Sequence, residues 1–247
     1  MFAMTWAYLA VVMVIAFATE TAAGFGATIL SVTFGAFFFK VDALLAMLLP
    51  INAVTSTLLI WRGHRVIAWH VLLREVAIPI GLGFGVGIAV RSRLPTDELV
   101  IAFALFVTAL AANQLRQIAK GVAAGAPSYA SLWLLGGGVI QGLFGTGGPL
   151  VVHTLARRIE DKSAFRSTLA VVWLTLNVGL SANLAMQGAF TRASLLASAG
   201  LVVPMLVGMR VGESVFRRLS GETFRKFIYQ LLLVASVLLL LRNTVLR

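Results

Sequence analysis

The chain has 247 residues, 60% of them hydrophobic and only 12% charged, with a mean hydropathy of +0.96. Soluble domains carry about 25% charged residues, so an ordinary water-soluble globule is excluded, and eight spans of about 20 residues would leave no room for an extramembrane catalytic domain. The chain has no cysteine, which rules out disulfides, thiolate metal sites and thiol relays; its net charge of +11 is the Lys/Arg excess expected on the cytoplasmic loops of a polytopic protein, not a sign of nucleic acid.

No basic residue precedes Lys40. A secretory signal needs a positive start, so the first segment is expected to stay in the protein. Apolar stretches run at about 3–38, 43–61, 69–90, 98–115, 130–156, 167–186, 194–215 and 225–246. The first and fifth exceed what one crossing needs, and glycine breaks both. They read Glu20-Thr-Ala-Ala-Gly24-Phe-Gly26-Ala-Thr28 and Gln141-Gly-Leu-Phe-Gly145-Thr146-Gly147-Gly148-Pro149. At a separation of 121 residues Glu20 meets Gln141, Gly24 meets Gly145 and Gly26 meets Gly147. Farther on, a separation of 125 pairs Asn52 with Asn177, Ser56 with Ser181, Pro79 with Pro204, Gly83 with Gly208 and Gly87 with Gly212. Four extra residues fit the charged stretch 157–166. Chance in an Ala/Leu/Val-rich chain would match those common residues, not Asn, Pro and Gly in order.

The predicted fold is therefore all-α and polytopic, with about eight hydrophobic segments in two repeats, residues 1–120 and 121–247. Repeats with interrupted segments at matching places are the sequence mark of secondary transporters. If each interrupted segment crosses once, the 20 Lys and Arg divide 12 to 8 between the faces; if each folds back as a re-entrant hairpin, they divide 14 to 6 and the repeats are inverted. The steeper bias favours inversion under the positive-inside rule, although a 36-residue stretch is also long enough to cross once with a break. Either arrangement puts both termini outside the cytoplasm.

A helix broken inside a bilayer exposes backbone N–H and C=O groups that protein or ligand must satisfy. The half-helix after the break points free N–H groups, with about half a positive charge, into the site. That is an anion site needing no Lys or Arg. Gly24, Gly26, Gly145, Gly147 and Gly148 are its backbone candidates; Thr28 and Thr146 add hydroxyl donors, and Pro149 suits the first position of a half-helix. The alternative is that these glycines only permit close packing or a kink. Asn52 and Ser56, like Asn177 and Ser181, are four apart and share a helix face, turned toward a cavity or serving as interhelical hydrogen bonds. Asn52, Asn177 and Gln141 are the side-chain candidates for substrate contact, with Thr55, Thr175 and Asn183 as weaker ones.

Glu20 is the only charged residue among the first 39. A carboxyl withdrawn from water favours its protonated form, which makes Glu20 the candidate for proton coupling; a hydrogen-bonded structural Glu at a water-filled vestibule is the alternative. Its neutral counterpart Gln141 indicates that the fold needs a polar group there, not necessarily a charge. His153 stands alone on an apolar helix, and with His64 and His70 near a loop no metal-ligand spacing exists. Arg74-Glu75 and Arg210 with Glu213 read as snorkelling side chains and local ion pairs. Trp61 and Trp69 read as interfacial anchors, and Arg217 to Lys226 as a cytoplasmic loop.

Three features resemble the TauE/SafE sulfite exporter family of membrane transporters: Gly136-Gly-Gly-Val-Ile-Gln141-Gly-Leu-Phe-Gly145-Thr-Gly147-Gly148-Pro149, its degenerate copy Ala22-Ala-Gly24-Phe-Gly26-Ala-Thr28, and the tail Gly208-Met-Arg-Val-Gly212 with Arg218-Leu-Ser220 and Phe224-Arg225. The first copy departs from the pattern, with Ala27-Thr28 where a Gly-Pro-like pair is typical. The resemblance implies a bacterial inner-membrane carrier of sulfur-containing anions such as sulfite, sulfonates or sulfoacetate, with no bound cofactor. It leaves the particular anion open.

The residues thus point to a secondary transporter, an exporter by the resemblance, that moves a small anion by alternating access around a midplane site, with Glu20 as the proton carrier. Its other partner is the lipid bilayer, and both termini are expected in the periplasm. A non-transporting accessory subunit and an anion channel are the alternatives. An enzyme is not expected, because no spacing defines a nucleophile–base pair, and nothing resembles a phosphate-cradling loop. Gly81, Gly83, Gly87, Gly208 and Gly212 fit packing within one chain or between two copies, so a homodimer is allowed.

Overall fold

The computed structural model describes all residues except 1, 94–95, 121–128, 157, 219–220 and 245–247. Among the described residues the chain is α-helical throughout, without strands. The helices are α1 (Phe2–Ala23), α2 (Ala27–Gly35), α3 (Val41–Gly63), α4 (Trp69–Val71), α5 (Ala77–Arg91), α6 (Thr96–Ala119), α7 (Ala130–Phe144), α8 (Gly148–Leu155), α9 (Lys162–Met186), α10 (Arg192–Arg218) and α11 (Gly221–Thr244). A π-helical turn, Leu72–Val76, joins α4 to α5 in one apolar rod, Trp69–Arg91. Among the described residues six helical stretches are long and apolar enough to cross a membrane, and Ala130–Phe144 and Leu232–Leu241 are shorter apolar helices. Leu73, Ile78, Leu82 and Val203 lie open on the outer surface. That pattern suits lipid, because a soluble helix keeps polar residues on its outer face. The chain is a multi-pass membrane protein.

Both interrupted segments fold back on themselves. α2 returns beside α1: Ser31 Oγ donates to Met13 Sδ at 3.4 Å, Tyr8 Oη donates to Phe34 O at 3.3 Å, and the Trp6 and Phe39 rings stand 5.9 Å apart. α8 returns beside α7, with Gly137 packed on Val151 and Gly136 on Leu150. Two contacts fix the relative directions of the long helices. The end of α3 lies against the start of α9, Gly63 on Ser167, and Ala68 N donates to Thr168 Oγ1 at 2.9 Å. The hairpin α1–α2 therefore enters from the face where α3 begins, and α7–α8 from the face where α9 begins. These are opposite faces.

The halves interlock crosswise. α5 packs on α7, α1 on α10, α3 on α9 and α6 on α11, the last joined by Thr108 Oγ1 donating to Ser236 Oγ at 2.9 Å. Glycine makes two of these seams. A Cβ on Gly83 would sit 2.0 Å from Leu135 O, and one on Gly138 2.2 Å from Ile80 O. Across the α1–α10 seam a Cβ on Gly212 would meet Ala18 O at 2.4 Å, and one on Gly208 would meet Val14 O at 2.6 Å. So Gly83, Gly87, Gly208 and Gly212 pack within the chain, whereas Gly81 has nothing within 4 Å of its Cβ position.

Among the described residues neither expected pair, Arg74 with Glu75 or Arg210 with Glu213, forms. Glu75 pairs with Arg158 at 3.2 Å, not with Arg74, whose guanidinium meets His70. Glu213 pairs with Arg166 and Arg217, and Arg210 is exposed. Helix spacing explains the first difference, because adjacent residues diverge, and Arg217, four residues on, shares the face of Glu213. Trp61 and Trp69 are exposed beside the basic turn. Much of the stretch from Arg217 to Lys226, including 219–220 and most of its side chains, lies outside the described residues.

The seams make a paired test. Gly83→Ala forces a methyl into the Leu135 carbonyl and is expected to lose about 1–3 kcal/mol. Gly81→Ala meets open space and should hold or gain up to about 1 kcal/mol from helix propensity. Melting of the two purified variants side by side checks both.

Candidate functional site

The two breaks are built alike. α1 ends in Gly24 (φ +82°) and Gly26 (φ +123°), and α7 ends in Gly145 (φ +68°). These left-handed conformations favour glycine and let the chain turn inside the bundle. Gly24 N donates to Glu20 O at 2.7 Å and Gly145 N donates to Gln141 O at 2.8 Å, closing each turn with the same bond. The side chains of those same two residues then reach across. Ala27 N, at the start of α2, donates to Glu20 Oε2 at 3.1 Å. Gly147 N, before α8, donates to Gln141 Oε1 at 2.7 Å. Each reach satisfies one of the N–H groups that a helix start leaves unpaired. Pro149 falls in the first turn of α8, where a missing N–H is harmless.

Between the turns lies a small cavity of ≈ 20 Å³, room for about one water. From the first hairpin it is lined by Glu20, Gly26 and Thr28, and from the second by Gln141, Gly145, Thr146 and Gly148. Asn177 closes it from α9, accepting from Gln141 Nε2 at 2.9 Å. No Lys or Arg is among the lining residues, and Glu20 is the only formal charge among them.

The remaining expected residues stand just behind this wall. Asn52 Nδ2 donates to Thr28 Oγ1 at 2.9 Å, which leaves the Thr28 hydroxyl its own proton to donate. Gly24 O accepts from Trp173 Nε1 at 2.8 Å. The N–H of Gly147 is taken by Gln141, and a Cβ at 147 would sit 2.0 Å from Gly137 O. A side chain there parts α7 from α8 before it meets any ligand. Among the described residues Asn52 Oδ1, Ser56 Oγ and Thr21 Oγ1 are buried without a hydrogen-bond partner. Buried polar groups left this way are costly, and two of the three lie one turn apart on α3.

The weaker sequence candidates fall away from the cavity. Thr55 and Thr175 bond back to their own helices, at Ile51 O and Val171 O, and Asn183 accepts from Gln187. The side chain of His153 lies outside the described residues. Sequence reasoning missed Trp173, Phe25 and Ile29, which line the cavity. Trp173 carried a signal, an indole N–H in an apolar helix one turn before Asn177. Phe25 and Ile29 carried none.

Fold and site together define a multi-pass helical protein with two re-entrant hairpins meeting at a polar cavity, the class of a small-solute transporter. A family model described as Sulfite exporter TauE/SafE matches residues 8–239. The chain belongs to that family, whose members are transporters of the sulfite-exporter type rather than enzymes. Against curated proteins and against solved structures the chain has no match.

The site geometry gives its own stability test. Thr28→Val removes the acceptor of the Asn52 amide, whose Oδ1 has no partner among the described residues, and should cost about 1–3 kcal/mol. Thr175→Val, on an exposed face, should stay within about 0.5 kcal/mol of the parent. Unfolding of both variants in one detergent measures the difference.

Proposed function

We propose that the protein exports a small sulfur-containing anion, such as sulfite, a sulfonate or sulfoacetate, by alternating access at the cavity between the two hairpins. The observation that carries this reading is that two helix starts, α2 and α8, flank one cavity from opposite faces, the N–H of Ala27 and of Gly147 lying just behind its wall and each held by a cavity-lining side chain, Glu20 or Gln141. An anion oxygen is the natural replacement for those caps, because the N–H groups and the helix dipole favour negative charge. The Thr28 and Thr146 hydroxyls complete a donor set without a fixed cation. The site residues of this reading are Gly24, Gly26, Thr28, Asn52, Gln141, Gly145, Thr146, Gly147, Gly148 and Asn177. The sulfur chemistry of the substrate comes from the family alone.

Glu20 is the proton carrier. Its carboxylate occupies the very N–H that an anion would take, and two negative charges at one donor repel. Anion entry therefore goes with protonation of Glu20. The neutral Gln141 releases its N–H at no such cost, so only the first hairpin couples to the proton. The chain is read as two inverted repeats, residues 1–120 and 121–247, in a bacterial inner membrane with both termini in the periplasm. The identical turn-closing bonds at Gly24 and Gly145 support the duplication, and the 14-to-6 division of Lys and Arg supports the orientation.

Thermal stabilisation by sulfite, sulfate, sulfoacetate, taurine, acetate and chloride tests the substrate class. A ligand at about 100 times its Kd should add about 2.7 kcal/mol, and a selective shift by sulfur anions is expected. No shift by any of them would reject the anion reading in favour of a cation, a neutral solute or an accessory role. Methanesulfonate, whose own charge is constant, tests the coupling. Because binding takes up a proton, its affinity should rise as pH falls, by up to about tenfold per unit while free Glu20 is ionised. Glu20→Gln should flatten that profile yet still bind; an unchanged profile would make Glu20 structural.

A further inference from the structure

Two ion pairs at opposite ends of the bundle hold the turns of the two hairpins. At the face where α3 begins, Arg91 in the last turn of α5 donates to Leu143 O near the end of α7 and pairs with Asp42 in the first turn of α3. At the other face, Arg166 near the start of α9 donates to Thr21 O near the end of α1 at 3.2 Å and pairs with Glu213 of α10 at 2.9 Å. Each hairpin is thus held by the other half of the chain. The charges have changed places: the acid lies on α3 in one clamp and on α10 in the other. Both arginines serve the last carbonyls of a half-helix, which lack intrahelical partners and carry its negative end. A guanidinium fork meets a carbonyl and a carboxylate at once.

We propose that Asp42–Arg91 and Arg166–Glu213 are the two gates of the transport cycle, positioning residues that keep each hairpin turn closed over the cavity. This inference rests on the transporter reading above. The Arg91 side chain is 4% exposed and its partner Asp42 44%; Arg166 and Glu213 are 15% and 27%. The clamps therefore sit at the edge of the packed interior. An ion pair at such an edge holds weakly, because water takes over each partner as they part, whereas a pair at the bundle centre would be costly to open. Opening toward one face hydrates the clamp of that face and frees one hairpin turn. The opposite clamp stays shut, so the cavity never meets both faces together.

The cysteine-free chain allows a direct test. Ile29→Cys places a thiol at the cavity wall, at a position 1% exposed in the closed protein. In sealed proteoliposomes a membrane-impermeant maleimide is applied from each face to this parent, to the parent with Asp42→Asn and to the parent with Glu213→Gln. Asp42→Asn should raise labelling about tenfold from the face where α3 begins and leave the other face unchanged, by emptying the closed population toward one side. Glu213→Gln should do the same from the opposite face only. Equal labelling from both faces, or no change in either variant, overturns the gates. If a single variant does not fold, the exchanged pair Asp42→Arg with Arg91→Asp decides. Restored protection supports the proposal, whereas labelling from both faces, or failure to fold, assigns the pair to the scaffold. Anion flux in the parent is read separately: one-sided labelling without flux rejects the substrate reading and keeps the gates, and flux without one-sided labelling does the reverse.

Discussion

Two helices stop and restart inside an apolar bundle, and the polar backbone that each stop lays bare must be answered by the protein itself. Glu20 and Gln141 give that answer from the last turn of α1 and of α7, each placing one side-chain oxygen on an N–H at the next helix start. Trp173 takes the Gly24 carbonyl left on the other side of the first turn. Those backbone groups are therefore satisfied by protein, and the bundle closes around a cavity of ≈ 20 Å³. On the proposed reading, a ligand that takes either capped N–H has to displace an existing bond, so recognition there is an exchange of acceptors. That favours a ligand richer in acceptors than an amide, which an oxyanion is.

The two breaks are alike in geometry and unlike in chemistry. The closing bonds at Gly24 and Gly145 are nearly equal in length, and the two caps stand at matching places. Yet one cap can ionise and the other cannot. A pair of identical glutamates would put two charges at one small cavity, and a pair of glutamines would leave no group to carry a proton. Under the proposed coupling, one of each lets a single protonation event report on occupancy of the shared site.

Helix existence was legible because the apolar stretches are long, and the breaks because Gly24, Gly26, Gly145 and Gly147 interrupt them in register. The folding back of the two segments could be weighed only through the distribution of Lys and Arg, since a 36-residue stretch has length enough for either course. Side-chain reach was not legible. Nothing in the order of residues says that Glu20 bends onto Ala27 rather than facing open water, or that Gly147 serves packing against Gly137 as much as any ligand. Partners distant in sequence were also hidden: Arg91 and Asp42, or Arg166 and Thr21, meet only because the halves cross. Composition reports which groups need partners, and topology decides which they get.

The crosswise seams have a consequence for how the chain is assembled at the membrane. α7 has its backbone-close neighbour in α5, and α1 has its own in α10, far along the chain. During synthesis the first hairpin must therefore wait, with Ala18 and Val14 carbonyls uncovered on its flank, until α10 has been inserted. A chain severed between α6 and α7 would yield two fragments, each with an open glycine-lined flank and neither with a complete bundle. Supplied together in one bilayer, those fragments present surfaces complementary to each other and to little else.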